Sequence, residues 1–197
     1  MTVIVAARVR GFVCVAADTL TTAGWEKMHA DRSKLWTADP YVFGAAGDVR
    51  AAQVLQHFTS WPKYRPDEDT NLEAFLVKSV VPAMFTASND KGVVRNDSGI
   101  TRLGCETVIA WDDHLAGVWG NGCVHVPDSG RIALGSGYAE ALGYLGDTGP
   151  WTVDDVCESA RRACLTALGC EGPIDYVMTS DTTVKRWAPP KAKARKS

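Results

Sequence analysis

The stretch Thr2-Val3-Ile4-Val5-Ala6-Ala7-Arg8-Val9 decides how the chain is read. It is a short apolar run with β-branched residues, which predicts a strand starting almost at the first residue. Removal of Met1, which methionine aminopeptidases carry out when the next residue is as small as Thr, would leave Thr2 with a free α-amine. Its hydroxyl is then a nucleophile, and its amine, with an ordinary pKa of about 7.7 to 8.0, can be the base. Some residue follows every initiator, so Thr2 takes on meaning only from its neighbours.

Working outward, Arg10 and Gly11 predict a turn, and residues 12–17 return as a second strand ending at Asp18. Residues 19–24 are small and polar and read as a loop. A second hairpin pairs residues 33–36 with 41–46, turning at Asp39-Pro40. Gly47 and Asp48 then introduce a helix, with Asp48 as N-cap, an apolar stripe of Val49, Ala52, Val54, Leu55 and Phe58, and an end at Trp61-Pro62. Asp69 or Thr70 caps a second helix carrying Leu72, Phe75, Leu76, Val80 and Met84 on one face, with a kink expected at Pro82. Residues 88–103 read as a mobile loop.

Further on, residues 106–111 and 115–119 form a hairpin joined at Asp112-Asp113, and 124–126 and 132–134 are short strands. Gly135-Ser136-Gly137 starts a helix through Leu145. Thr152 caps the next, with Asp154 and Asp155 suiting its dipole, and that helix runs to about Leu168. Residues 174–179 and 183–187 close as strands. Strands, two helices, strands, two helices and strands imply an α+β fold, two antiparallel sheets between helical layers, in one domain over residues 1–187.

At 46% hydrophobic residues the chain has ample material for a core. The N-terminal apolar run lacks a basic leader and is broken by Arg8, Arg10 and Asp18, which argues against a signal peptide or membrane span and predicts a cytoplasmic protein. Cys14, Cys105, Cys123, Cys157, Cys164 and Cys170 show no CxxC spacing and read as reduced, mostly buried thiols. His29, His57, His114 and His125 lack metal-ligand spacing, and Cys123 with His125 is too little for zinc, so no metal or cofactor is expected. The tail over residues 188–197 holds Lys191, Lys193, Arg195 and Lys196 and reads as a disordered, solubilising end. No basic patch with interleaved aromatics points to nucleic acid.

Three residues could serve Thr2. Asp18 ends the strand that pairs with the first one, and Lys34 opens the next hairpin, so an antiparallel sheet can bring both to Thr2. A lysine beside a hydroxyl favours the developing alkoxide, and an aspartate holds the lysine. Gly47 sits at a strand-to-helix junction, where a backbone N–H can serve as an oxyanion donor. Taken singly, Asp18 is a common strand-ending residue, Lys34 a surface cation, Gly47 a turn, and Ser136 the small residue of a helix entry.

Taken together, Thr2, Val15-Ala16-Ala17-Asp18, Thr22-Ala23-Gly24, Lys34, Asp39-Pro40-Tyr41 and Gly44-Ala45-Ala46-Gly47 resemble the proteasome β subunits and their bacterial relative HslV. Gly120-Asn121-Gly122-Cys123-Val124-His125-Val126-Pro127 and Ile132-Ala133-Leu134-Gly135-Ser136-Gly137 are more similar to HslV. The resemblance covers most of residues 2–187. It implies an N-terminal nucleophile hydrolase with a four-layer αββα sandwich, assembled into stacked homo-oligomeric rings around an inner chamber. It further implies a threonine peptidase acting on unfolded proteins or peptides delivered by an ATP-dependent unfoldase, which must be a separate protein because this chain holds no phosphate-binding loop.

By position in that resemblance, Thr2 is nucleophile and base, Lys34 and Asp18 its activating pair, Gly47 the oxyanion donor and Ser136 a partner of the α-amine. Thr21, Arg32, Trp36 and Ala46 fall near the pocket for the residue before the scissile bond, and Trp36 there favours apolar or small side chains. The chain departs from the family at Leu168-Gly169-Cys170-Glu171-Gly172-Pro173-Ile174-Asp175, where an acidic residue is expected and either Glu171 or Asp175 is available to substitute. A residue also falls short before Gly47. The departures keep two other readings in play: a catalytically silent ring-forming subunit, and a small-molecule amidase.

Overall fold

A computed structural model describes residues 2–23, 26–29, 33–67 and 71–190. Strand β1 (Ile4–Val9) turns into β2 (Phe12–Asp18) through Arg10 and Gly11, at φ 40° and 90°. A two-residue hairpin whose twist matches its strands needs positive φ at both positions, which glycine adopts without steric cost. From the pair Val9 and Phe12 at the turn, the register runs back to Ile4 opposite Ala17. Asp18 is thereby carried to Val3, whose carbonyl accepts its N–H at 3.2 Å. One turn thus selects the residue that meets the start of the chain.

The remaining elements are β3 (Leu20–Ala23), β4 (Glu26–His29), β5 (Leu35–Ala38), β6 (Tyr41–Gly47), α1 (Val49–Phe58), α2 (Leu72–Phe75), α3 (Val81–Asp90), β7 (Arg95–Asp97), β8 (Ile100–Arg102), β9 (Cys105–Trp111), β10 (His114–Val118), β11 (Val124–His125), β12 (Arg131–Leu134), α4 (Tyr138–Leu145), α5 (Val153–Thr166), β13 (Ile174–Met178) and β14 (Asp181–Arg186). Two antiparallel sheets form, in the orders β12-β1-β2-β13-β14 and β11-β10-β9-β6-β5. Three apolar clusters define the layers. Val3, Val5, Ala7 and Val9 pack on Val156, Ala160 and Ala163 of α5. Ile4 and Ala6, on the opposite face of β1, meet Leu35, Val42, Val108 and Leu115 of the second sheet. On that sheet's far side Phe43, Ile109 and Trp111 pack against Leu55, Leu76 and Met84.

The architecture is therefore helices, sheet, sheet, helices. Both faces of β1 are buried, which is why its sequence is almost continuously apolar instead of alternating. Burial of a side chain such as Ile4 or Val5, each fully shielded, contributes about 1.5–3 kcal/mol. A charge introduced at Val5 would sit unpaired between a sheet and a helix and break the layer.

Helix α1 is capped by Asp48, whose carboxylate accepts from Arg50 N and Ala51 N, and α5 begins with a reciprocal capping box between Thr152 and Asp155. Other expectations are corrected. Residues 19–24 are not simply a loop: Leu20–Ala23 form β3, paired with β4, because ladder hydrogen bonds and β-branched Thr21 and Thr22 suffice where hydrophobic alternation is absent. Residues 88–103 hold the end of α3 and the hairpin β7–β8. The second helical segment is capped by Asn71, which accepts from Ala74 N at 2.7 Å; Asp69 and Thr70 lie outside the described residues. In place of a simple kink, a π-helical turn at Leu76–Val80 precedes Pro82. The wider turn absorbs the missing N–H and the ring's clash with the preceding turn. Helix α5 stops at Thr166, before Leu168.

All six cysteines are free thiols. No helix among the described residues is long and apolar enough to cross a membrane. Of the basic tail, residues 191–197 lie outside the described residues.

Candidate active site

Thr2 immediately precedes β1 and is buried between two arms of the structure. On one side stands Lys34, just before β5, its carbonyl accepting Ala45 N–H of β6 at 3.2 Å. Its Nζ donates to Thr2 Oγ1 at 3.0 Å and to Asp18 Oδ1 at 2.7 Å. Asp18 is wholly shielded, and its side chain also accepts Val3 N–H on Oδ1 at 3.0 Å and Glu171 N–H on Oδ2 at 3.3 Å. A buried carboxylate is tolerable only when paired and hydrogen-bonded on both oxygens. This arrangement puts a cation against the threonine hydroxyl, where it stabilises negative charge developing on Oγ1.

On the other side, Thr2 N donates to Ser136 Oγ at 3.3 Å, and Ser136 Oγ in turn lies 3.4 Å from Thr2 O, to which it can donate. Gly137 N also donates to Thr2 O, at 3.3 Å. The approach depends on Gly135, at φ 83°: a Cβ there would come within 2.3 Å of the Thr2 carbonyl oxygen. Behind Ser136 sits the buried thiol of Cys170, Sγ to Oγ 3.6 Å. Burial pushes the Cys170 thiol above its ordinary pKa, with the Asp18 charge adding to the rise, and outweighs the Ser136 hydrogen bond and Lys34. Burial likewise pushes the nearby Cys164 thiol, and Cys105 in the cleft, up to about 12.

Thr2 and Gly47 line two cavities at once. The larger, about 860 Å³, runs past Ser136, Ala46, Leu103, Trp119 and His125 to Arg95. The smaller, about 230 Å³, is walled by Thr21, Lys34, Trp36, Ala45, Val49 and Gln53. Gly47 ends β6 opposite Cys105, directly before the α1 cap. A carbonyl group lying across the boundary between the cavities would meet the Gly47 backbone at a helix start.

The structure thus brings Thr2, Asp18, Lys34, Gly47 and Ser136 together. Thr21, Trp36 and Ala45 line the smaller cavity, whereas Ala46 faces the larger one, because successive strand residues face opposite sides. Arg32 lies outside the described residues. Of the two acids considered, Asp175 accepts from Arg186 Nε at 2.8 Å, and Glu171 reaches Asp18 with its backbone N–H. Among the described residues, no three His, Cys, Asp or Glu side chains converge as a metal site would require.

No protein-family model and no curated protein matches the chain. Solved structures do. The BPH protein of Thiobacillus denitrificans superposes with a TM-score of 0.72 at 18% identity, over 92% of this chain and 98% of that one. The same protein in complex with epoxomicin gives 0.70 at 17% identity, over 92% and 99%. The eukaryotic HslV of Trypanosoma brucei gives 0.62 at 18% identity, over 89% and 98%. The fold is that of HslV and the proteasome β subunits.

Within this HslV-like fold, Cys170, Gly135 and Ala45 are the site residues that sequence reasoning passed over. Cys170 lies in the segment that departs from the family pattern, where the expected residue is an acid and a buried thiol carries no sequence signal of its own. Gly135 was read as a helix entry, though its neighbour Ser136 already marked the spot.

Proposed function

We propose that the chain is a threonine-type endopeptidase acting through Thr2 after removal of Met1. The observation that carries this reading is Lys34 Nζ at 3.0 Å from Thr2 Oγ1 and 2.7 Å from the buried Asp18 carboxylate. Thr2 Oγ1 attacks the carbonyl carbon of a peptide bond while its proton passes to the free α-amine. Gly47 holds the oxyanion, the amine returns the proton to the leaving peptide, and an ester on Thr2 remains. Water, deprotonated by the same amine, hydrolyses that ester. Ser136 orients the amine.

The smaller cavity receives the side chain before the scissile bond. Trp36, Ala45, Val49 and Ala52 give it apolar walls, Thr21 and Gln53 are neutral, and its charged members are already engaged, Lys34 with Asp18 and Asp48 with the α1 cap and Arg95, so small or apolar side chains suit it. The HslV-like fold supports assembly into stacked homo-oligomeric rings in the cytoplasm, fed with unfolded protein by a separate ATP-dependent unfoldase. The domain is taken to span residues 1–187, with the basic tail outside it.

A second reading, a silent ring-forming subunit, is favoured by the commitment of the Asp175 carboxylate to Arg186. Intact mass spectrometry after incubation with a peptide epoxyketone separates the two. Loss of Met1 and a covalent adduct that is absent from Thr2→Ala are expected of the peptidase. Retained Met1 with no adduct leaves the silent subunit.

A further inference from the structure

We infer that Cys170 is a positioning residue, its S–H donating to Ser136 Oγ so that the single serine hydrogen is turned toward Thr2. The inference rests on the peptidase reading and goes beyond it in giving the thiol a part in preparing the base.

A serine hydroxyl offers one hydrogen and two acceptor sites. Thr2 N–H occupies one acceptor at 3.3 Å, and Thr2 O lies 3.4 Å from the same oxygen, within reach of the hydrogen. The remaining acceptor faces Cys170 Sγ at 3.6 Å. A thiol that keeps its proton fills that site as a donor, whereas a thiolate would draw the serine hydrogen away from Thr2. The thiol is also held in place. The next residue, Glu171, donates its N–H to Asp18 Oδ2 at 3.3 Å and accepts Leu20 N–H on its carbonyl at 3.0 Å. On the other flank, a Cβ on Gly137 would stand only 3.3 Å from Sγ. The Cys170-Glu171 dipeptide therefore touches both arms of the site, Ser136 through the thiol and Asp18 through the backbone.

Once Thr2 carries a free amine, the Ser136 Oγ that accepts from it has its hydrogen on Thr2 O and its other lone pair taken by the thiol, which makes it a weaker acceptor for the ammonium form, disfavours protonation and keeps the base available near neutral pH. The titratable groups that act on the two thiols beside the site are Asp18 on β2, Lys34 before β5 and Glu171 on the loop after α5, and the cavities that Thr2 borders add Arg95, Arg102, Cys105, Glu106, Cys123 and His125 on the larger side and Asp48 on the smaller. None of them is altered in charge by exchanging the neutral thiol for a hydroxyl or a methyl group.

The test compares wild type, Cys170→Ser and Cys170→Ala, with kcat/KM for a fluorogenic peptide measured across the acid limb of the pH profile. Loss of one neutral hydrogen bond predicts a roughly three- to tenfold fall at neutral pH in Cys170→Ala, with the acid limb displaced to higher pH. Cys170→Ser, which keeps a donor, is expected to restore both. In a Ser136→Ala background Cys170→Ala should add nothing, whereas a packing role would still add its cost. Cys170→Ala matching an active wild type in rate and limb overturns the inference, as does a loss shared equally by Cys170→Ser with the limb unmoved. A wild type without turnover or adduct is a different result: it overturns the peptidase reading, and this inference with it.

Discussion

The two sides of Thr2 are built differently. Toward Lys34 and Asp18 the contacts are charged and short, 2.7 and 3.0 Å, and the carboxylate is completely shielded. Toward Ser136 and Cys170 they are neutral and long, 3.3 to 3.6 Å. Charge-assisted hydrogen bonds are the shorter and stronger kind, so the side that meets the hydroxyl is the more firmly held. The side that meets Thr2 N is held by weak donors and by close backbone approach. On the proposed peptidase reading, the contrast teaches that the partners of the Thr2 hydroxyl are already in place in the chain as it stands, whereas a free amine depends on removal of Met1.

The sharpest way to break this contrast is Lys34→Ala. It removes the cation beside Oγ1 and leaves Asp18 buried and unpaired, so activity should fall at least about a hundredfold. Stability should fall by about 3 to 5 kcal/mol, measured by urea unfolding. A variant as stable as wild type would show that the clamp is solvated in solution. Next, Gly135→Ala attacks the looser side through the backbone: its Cβ would strike the Thr2 carbonyl oxygen, and positive φ strains any other residue. A loss of more than about 1 kcal/mol in the same unfolding assay is expected, together with slower epoxyketone labelling as Ser136 is displaced.

Ser136→Ala sharpens the comparison with a smaller change. It deletes one neutral partner of Thr2 N, so kcat/KM should drop by about tenfold, with the fold intact by circular dichroism. A fall as deep as that of Lys34→Ala would mean the two sides are equivalent after all. The mildest is Asp48→Ala, at the α1 cap beyond Gly47, expected to cost about 1 kcal/mol of stability and little activity. Burial raises the Asp48 carboxyl pKa, but the Ala51 and Arg50 backbone N–H groups and Arg95 overcome that and hold it below its ordinary value. Its contribution is therefore fully present above the unfolded-state pKa and disappears as pH falls through the depressed folded value. Thermal melts of the two proteins should differ at neutral pH and converge in strong acid.

What could be read along the chain follows from how locally each feature is specified. The clamp was legible because one two-residue turn and two short strands bring Asp18 to Val3, and because the run from Thr2 to Val9 is apolar on both faces, as a strand between a sheet and a helical layer must be. Likewise Asp48 and Thr152 announced their helices, since a cap acts within three residues of itself. The hairpin β3–β4 and the strands β7 and β8 were not legible. They pair outside the two five-stranded sheets, and their ladder bonds ask little of side-chain hydrophobicity.

By itself, then, the sequence determined the two-sheet, helix-flanked architecture, because periodicity and turn chemistry are local, and its resemblance to HslV and the proteasome β subunits singled out Thr2, Asp18 and Lys34. Only the tertiary structure decided that Ala45 and not Ala46 faces the smaller cavity, and that Cys170 stands behind Ser136. Those outcomes depend on strand alternation and on loops that meet across the layers, from residue 136 to residue 2 and from residue 170 to residue 136. No local pattern encodes such meetings, since the contacts form only when the helices and both sheets are packed.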